Sequence, residues 1–167
     1  MAIDDRLDDD YLEEEEDTQK DKYLMFKLAD EEYAIEIKFV TEIIGIQRIT
    51  EIPDCSDFVK GVINLRGKVI PVIDVRIRFK LKPKEYGDRT CIVIVNMEET
   101  IVGLIVDEVS EVLDIPPTNV ELPPKTNKGS HSRFIQGLGK VGDQVKILLN
   151  VNKLLKDEEL ESLKEIA

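Results

Sequence analysis

A shift of 76 residues lays Phe58-Val59-Lys60-Gly61 onto Phe134-Ile135-Gln136-Gly137. Continued without a gap, it lays Val69 onto Val145, Asp74 onto Asn150 and Val75 onto Val151. Val40-Thr41-Glu42-Ile43 likewise returns as Val109-Ser110-Glu111-Val112, each time just after an apolar hairpin. The order of elements recurs as well as single residues, which marks duplication of a small β unit rather than chance likeness of two hairpins. In a chain of 167 residues, neither copy closes a large core alone, so two small five-stranded barrels packed together are expected.

The strands read as alternating or wholly apolar runs bounded by turn residues. YLMFKL and EYAIEI flank a polar Ala-Asp-Glu-Glu turn, and EIIGIQRIT follows, ending at Ile52-Pro53-Asp54. FVKGVINLRGKVIPVIDVRIRF is a hairpin with Asn-Leu-Arg-Gly at its tip, closed by a short helical turn at Val75–Leu81. TCIVIV and TIVGLIV form a further hairpin, VSEVLDI a strand, and FIQGLGKV and QVKILLNV the last hairpin. Residues 116–132 are rich in Pro, Lys, Asn and Ser and read as a long loop. NKLLKDEELESLKEI has the period of an amphipathic C-terminal helix over 152–166. Pro71 withholds a backbone donor and points to an edge strand. Its neighbours Val69, Ile70, Val72 and Ile73 are apolar on both faces, so both faces of that strand need cover.

Charge divides the chain unevenly. Residues 1–22 hold 11 acidic and 3 basic side chains, a net of −8 out of −12, leaving −4 for the other 145 residues. Residues 1–21 therefore read as a disordered, solubilising acidic tail, with too little apolar surface to offset the entropy of ordering. The folded domain is expected over 22–160. An acidic balance argues against nucleic acid as a partner. No apolar run approaches the ~20 residues that span a bilayer, and the N-terminus lacks the basic start and greasy segment of a secretory signal. Cys55 and Cys91 lie in different elements without CxxC spacing and read as free thiols of a reducing cytoplasm.

Chemistry is hard to find. His131 sits in a Gly-Ser-His-Ser loop with no cysteine or acid at ligand spacing. The tail's aspartates lack the glycine and glutamate of a calcium loop. Gly137-Leu138-Gly139 precedes a strand, so no helix N-terminus follows to take a phosphate. Asp74 and Asp107 each end an apolar strand, where capping the next turn is the expected role. No catalytic residue, metal or cofactor is therefore expected. One hairpin tip stands out instead: Arg66-Gly67 in the first copy is Gly142-Asp143 in the second, so only the first carries an arginine.

The string from Phe58 to Phe79 closely resembles the signature of the CheW family, the coupling proteins of bacterial chemotaxis, and the likeness runs from about Tyr23 to Leu160. It implies an all-β fold of two Src-homology-3-like barrels with exchanged strands and a C-terminal helix, the barrels at about 22–85 and 86–150. It also implies a non-enzymatic adapter in the cytoplasm that joins chemoreceptor cytoplasmic tips to the regulatory domain of the histidine kinase CheA, without entering the membrane. By position, the resemblance assigns Ile37, Val40, Glu42, Gly103 and Val112 to the receptor side. Ile49, Arg66 and Val69 fall to the kinase side and coupling, with Glu42 near enough to pair with Arg66. Residues 121–126 occupy a variable loop, and the acidic tail lies outside the family pattern. Two alternatives stay open: a scaffold of a chemosensory-type pathway serving something other than motility, and a small-ligand module or enzyme using the groove between barrels.

Deleting residues 1–20 is expected to leave the melting temperature and partner binding nearly unchanged, as measured by circular dichroism and calorimetric titration.

Overall fold

The computed structural model describes residues 19–123 and 133–166; most of the acidic tail, His131 and residues 124–132 lie outside them. The strands are β1 (Lys22–Leu28), β2 (Glu31–Glu36), β3 (Val40–Gly45), β4 (Val59–Leu65), β5 (Lys68–Asp74), β6 (Cys91–Met97), β7 (Thr100–Val106), β8 (Glu108–Asp114), β9 (Val120–Glu121), β10 (Ile135–Val141) and β11 (Gln144–Leu149). Two helices accompany them, α1 (Val75–Arg78) and α2 (Asp157–Ile166). Among the described residues no helix is long and apolar enough to cross a membrane.

The strands form two sheets, β3-β6-β7-β5-β4 and β8-β1-β2-β11-β10-β9. Each sheet takes a hairpin from the other half of the chain. β6–β7 complete the sheet of β3, β4 and β5, while β1–β2 complete that of β8, β10 and β11. The junctions are parallel ladders, Val72 to Gly103 through Asp74 to Ile105 in one sheet and Ile147-Leu148 to Tyr33-Ala34 in the other. The fold is thus all-β with a C-terminal helix, two SH3-like units related by duplication with exchanged strands. The sheets are built across the expected division at 85/86, each holding strands from both sides of it.

The repeated motifs mark irregularities that both units need. In β3, Val40 opposes Val95 and Glu42 opposes Ile94, so Thr41 is a bulge, its hydroxyl donating to the Ile94 carbonyl at 3.1 Å. In β8, Val109 opposes Phe26 and Glu111 opposes Met25, so Ser110 is the same bulge. Lys60 and Gln136 are the extra residues of matching bulges in β4 and β10. Such bulges add twist and re-aim side chains. The glycine that ends each Phe-x-x-Gly admits a neighbouring backbone. A Cβ on Gly61 would lie 2.0 Å from the Thr50 oxygen, and one on Gly137 would press on Val120 at 2.8 Å. The isolated bridge of Thr50 to Val62 is the first unit's counterpart of β9 against β10.

Apolar residues on both faces of the sheets fill three cores. The largest, between the sheets, joins Leu24, Phe26 and Ile35 to Ile73, Val93 and Leu104. Ile63, Ile70, Val72, Ile92, Ile94 and Ile105 form the first unit's own core; Tyr23, Met25, Ala34, Ile115 and Leu148 form the second's. Alternate residues of β6 thus serve different cores, which explains its uninterrupted apolar run. Across the middle, Phe79 stacks on Phe134 with centroids 5.5 Å apart, and Tyr33 lies tilted against Phe79 at 5.6 Å. Arg78 lies over Phe58 and its duplicate Phe134, at 5.0 and 4.7 Å. Burial lowers the Arg78 guanidinium pKa, opposed by Glu159, to which it donates at 3.2 Å.

Three local expectations are corrected. Pro71 is not on an edge: β5 lies between β4 and β7, and the proline is tolerated because the ladder to β7 starts only at Val72. Asp107 does not cap the turn that follows it. It accepts from the Arg76 Nε at 2.7 and 2.9 Å and from the Ala29 amide at 2.9 Å, tying the β1–β2 turn to α1. The C-terminal helix starts at Asp157, not 152. Val151–Lys153 form a separate 3-10 turn capped by Asn150, as Asp74 caps α1. The Glu159 carboxylate then accepts from the Lys156 amide at 2.7 Å, the return bond of a capping box.

Because Gly61 combines a φ of 143° with the 2.0 Å approach, Gly61→Ala is expected to cost more than about 2 kcal/mol in urea unfolding. Gly45→Ala, with nothing within 4 Å, is expected to stay within about 0.5 kcal/mol.

Candidate functional site: an arginine-tipped groove

The Asn-Leu-Arg-Gly tip is a turn with two left-handed residues, Arg66 at φ 51° and Gly67 at φ 88°. Two positive φ values at the centre are what a two-residue hairpin of the twist-matching kind demands. Asn64 supports the turn, its Oδ1 accepting from the Gly67 amide at 2.9 Å. A left-handed arginine carries a steric cost that glycine does not. The second unit avoids that cost, since its positive φ of 59° falls on Gly142. Six other non-glycine residues among those described share a left-handed φ, so it is the arginine itself, absent from the duplicate tip, that singles out Arg66.

Arg66 reaches from the tip to the far edge strand and donates through Nη2 to the Glu42 carboxylate, with 72% of its side chain still exposed. The hydrogen bond that Arg66 donates to Glu42, with that carboxylate's charge, raises the guanidinium pKa further. Below this bridge lies a groove of about 370 Å³ lined by Thr41, Glu42, Leu65, Arg66, Lys68, Ile70, Ile94 and Ile101. Ile70 and Ile94 belong to the first unit's core, and Leu65 and Ile101 pack on it, so the groove is the mouth of that core.

The structure brings some of the expected residues together and separates others. Glu42 and Arg66 frame the groove. Val69 follows Lys68 on β5, half exposed at 51%, and Ile49 is half-buried against the same core. Ile37 and Val40 are half-buried at the start of β3, packed on the core between sheets. Val112 is 48% exposed on the edge strand of the other sheet. Gly103 is buried, and a Cβ there would meet Val72 at 2.7 Å and Ile92 at 2.8 Å. It bears on any surface only through packing. Ile43 and Val145, at 42% and 56% exposure, are the duplicates of Val112 and Val69 and were not singled out. The same repeat register points to both. The groove floor was also missed, because apolar strand residues carry no local sign of lying at a mouth.

A second cavity, between the units, is lined by Tyr33, Phe79, Leu81, Phe134, Ile135, Ile147 and Leu149. Its walls are aromatic and aliphatic, without the convergent polar groups of a small-molecule site. Asp74 is committed elsewhere, accepting from the Ile77 amide at 3.4 Å and the Tyr86 hydroxyl at 2.8 Å. Burial, with that hydrogen bond, pushes the Tyr86 phenol well above its usual range. Among the described residues no three His, Cys, Asp or Glu side chains are placed to share a metal ion.

Two SH3-like units with exchanged hairpins, one bearing an exposed arginine over an apolar groove, define a docking module of the CheW-like class. The family model described as "CheW-like domain" matches residues 22–159, and the chain belongs to the CheW family. It is 35% identical over 151 residues to the chemotaxis protein CheW of Klebsiella aerogenes, covering 90% of this chain and 91% of that one. It is 27% identical to the protein FrzA of Myxococcus xanthus, over 80% of this chain and 84% of that one. The crystal structure of the scaffolding protein TtCheW from Thermoanaerobacter tengcongensis superimposes with a TM-score of 0.76 at 35% identity, covering 83% of this chain and 90% of that one.

Since a left-handed position favours glycine, Arg66→Gly is expected to melt at the same temperature as the native chain or higher. Differential scanning calorimetry checks this; a clear drop would make the Glu42 pair structural.

Proposed function

We propose that the protein is a non-enzymatic chemotaxis adapter, joining the cytoplasmic tips of chemoreceptors to the regulatory domain of the histidine kinase CheA. Arg66 carries the reading: it is exposed over an apolar groove at a tip whose duplicate does without it. Arg66, Val69 and Ile49 lie on the kinase-facing side. Ile37, Val40, Glu42 and Val112 lie on the receptor-facing side, with Gly103 acting through the packing of β7. The Arg66–Glu42 pair crosses from one set to the other, so a partner that engages either residue changes the orientation of the other. That is the physical form a coupling free energy between two interfaces takes.

The rim is charged and the floor aliphatic, a division in which polar groups set register and rate while apolar contact supplies affinity. Each contact is small, and stable signalling comes from many of them in a cytoplasmic array recruited to membrane receptors. The relative FrzA favours a second reading, a scaffold of the same build serving another chemosensory-type pathway.

Arg66→Ala is expected to fold normally and to lower receptor-dependent kinase activation at least about tenfold, the effect of truncating one hot-spot side chain. Arg66→Lys is expected to restore little, because an ammonium lacks the planar fork that holds Glu42 and a second acceptor together. Kinase assays on reconstituted receptor complexes, beside circular dichroism melts, measure both. Normal coupling by the alanine variant would remove Arg66 from the interface.

A further inference from the structure

The C-terminal helix covers a face of the first unit whose duplicate is left open. Leu163 and Ile166 of α2 line a common groove with Phe58 and Val59, and Leu160 and Leu163 are buried in the core between the sheets. The 76-residue shift carries Phe58, Val59 and Ile73 onto Phe134, Ile135 and Leu149. The parallel ladders carry Val102 onto Tyr33, since Val72 meets Gly103 as Leu148 meets Ala34. Those counterparts line the cavity between the units, about 200 Å³ in volume, joined by Phe79 and Leu81 from the connector. The same shift shows why the first copy supplies no helix here. Leu81-Lys82-Pro83 falls where the second copy has Asp157-Glu158-Glu159, the first turn of α2. Pro83 disfavours a helical Lys82, and Lys80 is left-handed at φ 60°. The connector therefore leaves for β6 after contributing two apolar side chains.

We infer that this open face seats an acidic amphipathic helix of a partner protein, with its aliphatic side chains in the cavity as Leu160 and Leu163 sit in the first unit. A chamber of about 200 Å³ is smaller than the ~300 Å³ or more of small-molecule pockets and suits side-chain anchors presented at helical spacing. The occupant of the duplicate face indicates the chemistry. α2 reads DEELESLKEI, with three acidic residues in its first turn. It is fastened by Arg78, which lies over Phe58 and donates to the Glu159 carboxylate. At the open face Arg133 lies 5.4 Å over Phe134, the duplicate of Phe58, and donates to the Leu155 carbonyl at 3.4 Å. Lys80, Lys82 and Arg133 each adjoin a wall residue in the chain, are exposed, and form no ion pair among the described residues. Three unpaired cations around an apolar chamber, on a chain of net charge −12, attract carboxylates and repel a basic helix. The face lies on β2, β10 and β11, separate from the Arg66 groove and from β3 and β8, so the inference depends on neither.

Fluorescence anisotropy of a fluorescein-labelled peptide with the sequence of residues 150–167, titrated with the full chain, tests this. One equivalent is expected to bind. Lys80→Glu together with Lys82→Glu, both at exposed positions, is expected to weaken binding about tenfold or more. Leu81→Trp, which fills the chamber, is expected to weaken it as much. The same peptide with its acidic residues changed to lysine is expected to bind about tenfold more weakly or worse. No binding of the native peptide overturns the inference. So does binding that both variants leave unchanged, because the peptide is then displacing α2 from the first unit. Equal binding of the lysine peptide overturns the acidic character of the partner. Should Leu81→Trp not fold, the lysine-pair variant decides alone. Two other occupants are separable. If removing residues 1–18 tightens binding about tenfold or more, the chain's own tail fills the face. If sedimentation shows self-association that the lysine-pair variant abolishes, a second copy fills it. Either result overturns a separate partner.

Discussion

Neither sheet of this protein exists without both halves of the chain. The five-stranded sheet needs β6–β7 and the six-stranded sheet needs β1–β2, each joined through a parallel ladder of two or three residue pairs. Everything else follows from that exchange. The chain crosses between sheets at Ile37–Phe39 and again in the Asp107 region, and the latter crossing is locked by the Arg76–Asp107 pair and the Ala29 amide. The pair is largely buried on both sides, and hydrogen bonds use both carboxylate oxygens, the condition under which a buried ion pair is not a liability. The aromatic cluster of Tyr33, Phe79 and Phe134 and the bridging Arg78 then fill the seam. Each unit therefore depends on strands from both halves of the chain.

Duplication supplied two nearly equivalent mouths, and divergence made them different. The structural parts of the repeat are kept: the bulges at Thr41 and Ser110, those at Lys60 and Gln136, and the close approaches at Gly61 and Gly137. The surface parts are not. One tip carries a left-handed arginine and an apolar floor; the other carries glycine at the left-handed position and a buried Lys146 paired with a partly exposed Glu32. Fold and function thus sit on separate residues of the same strands, which is why an exposed site can change while both sheets persist.

For an adapter this separation has a physical use. A groove with an aliphatic floor and a charged rim suits modest, selective binding, and in the proposed function coupling rests on the orientation of one guanidinium rather than on movement of a domain. The bridge between Arg66 and Glu42 spans the sheet from the β4–β5 tip to the β3 edge, so it reports on both.

What the sequence by itself determined was whatever depends on neighbours along the chain. The hairpins, the Gly67 turn, the cap at Asp74, the acidic character of the tail and the repeat register are all local signals of turn chemistry and periodicity. The arginine was visible because its duplicate lacks one. The tertiary structure decided whatever depends on which strands meet. It made β5 interior in spite of Pro71, buried Gly103 beneath Val72 and Ile92, and turned Asp107 from a cap into a crossing lock. It also left Ile43, Val69, Val112 and Val145 at the surface, although as letters they match the valines and isoleucines of the cores. The reason is that burial and pairing are set by ladders between residues far apart in sequence. A strand's own residues state that it has two faces, but not what covers each of them.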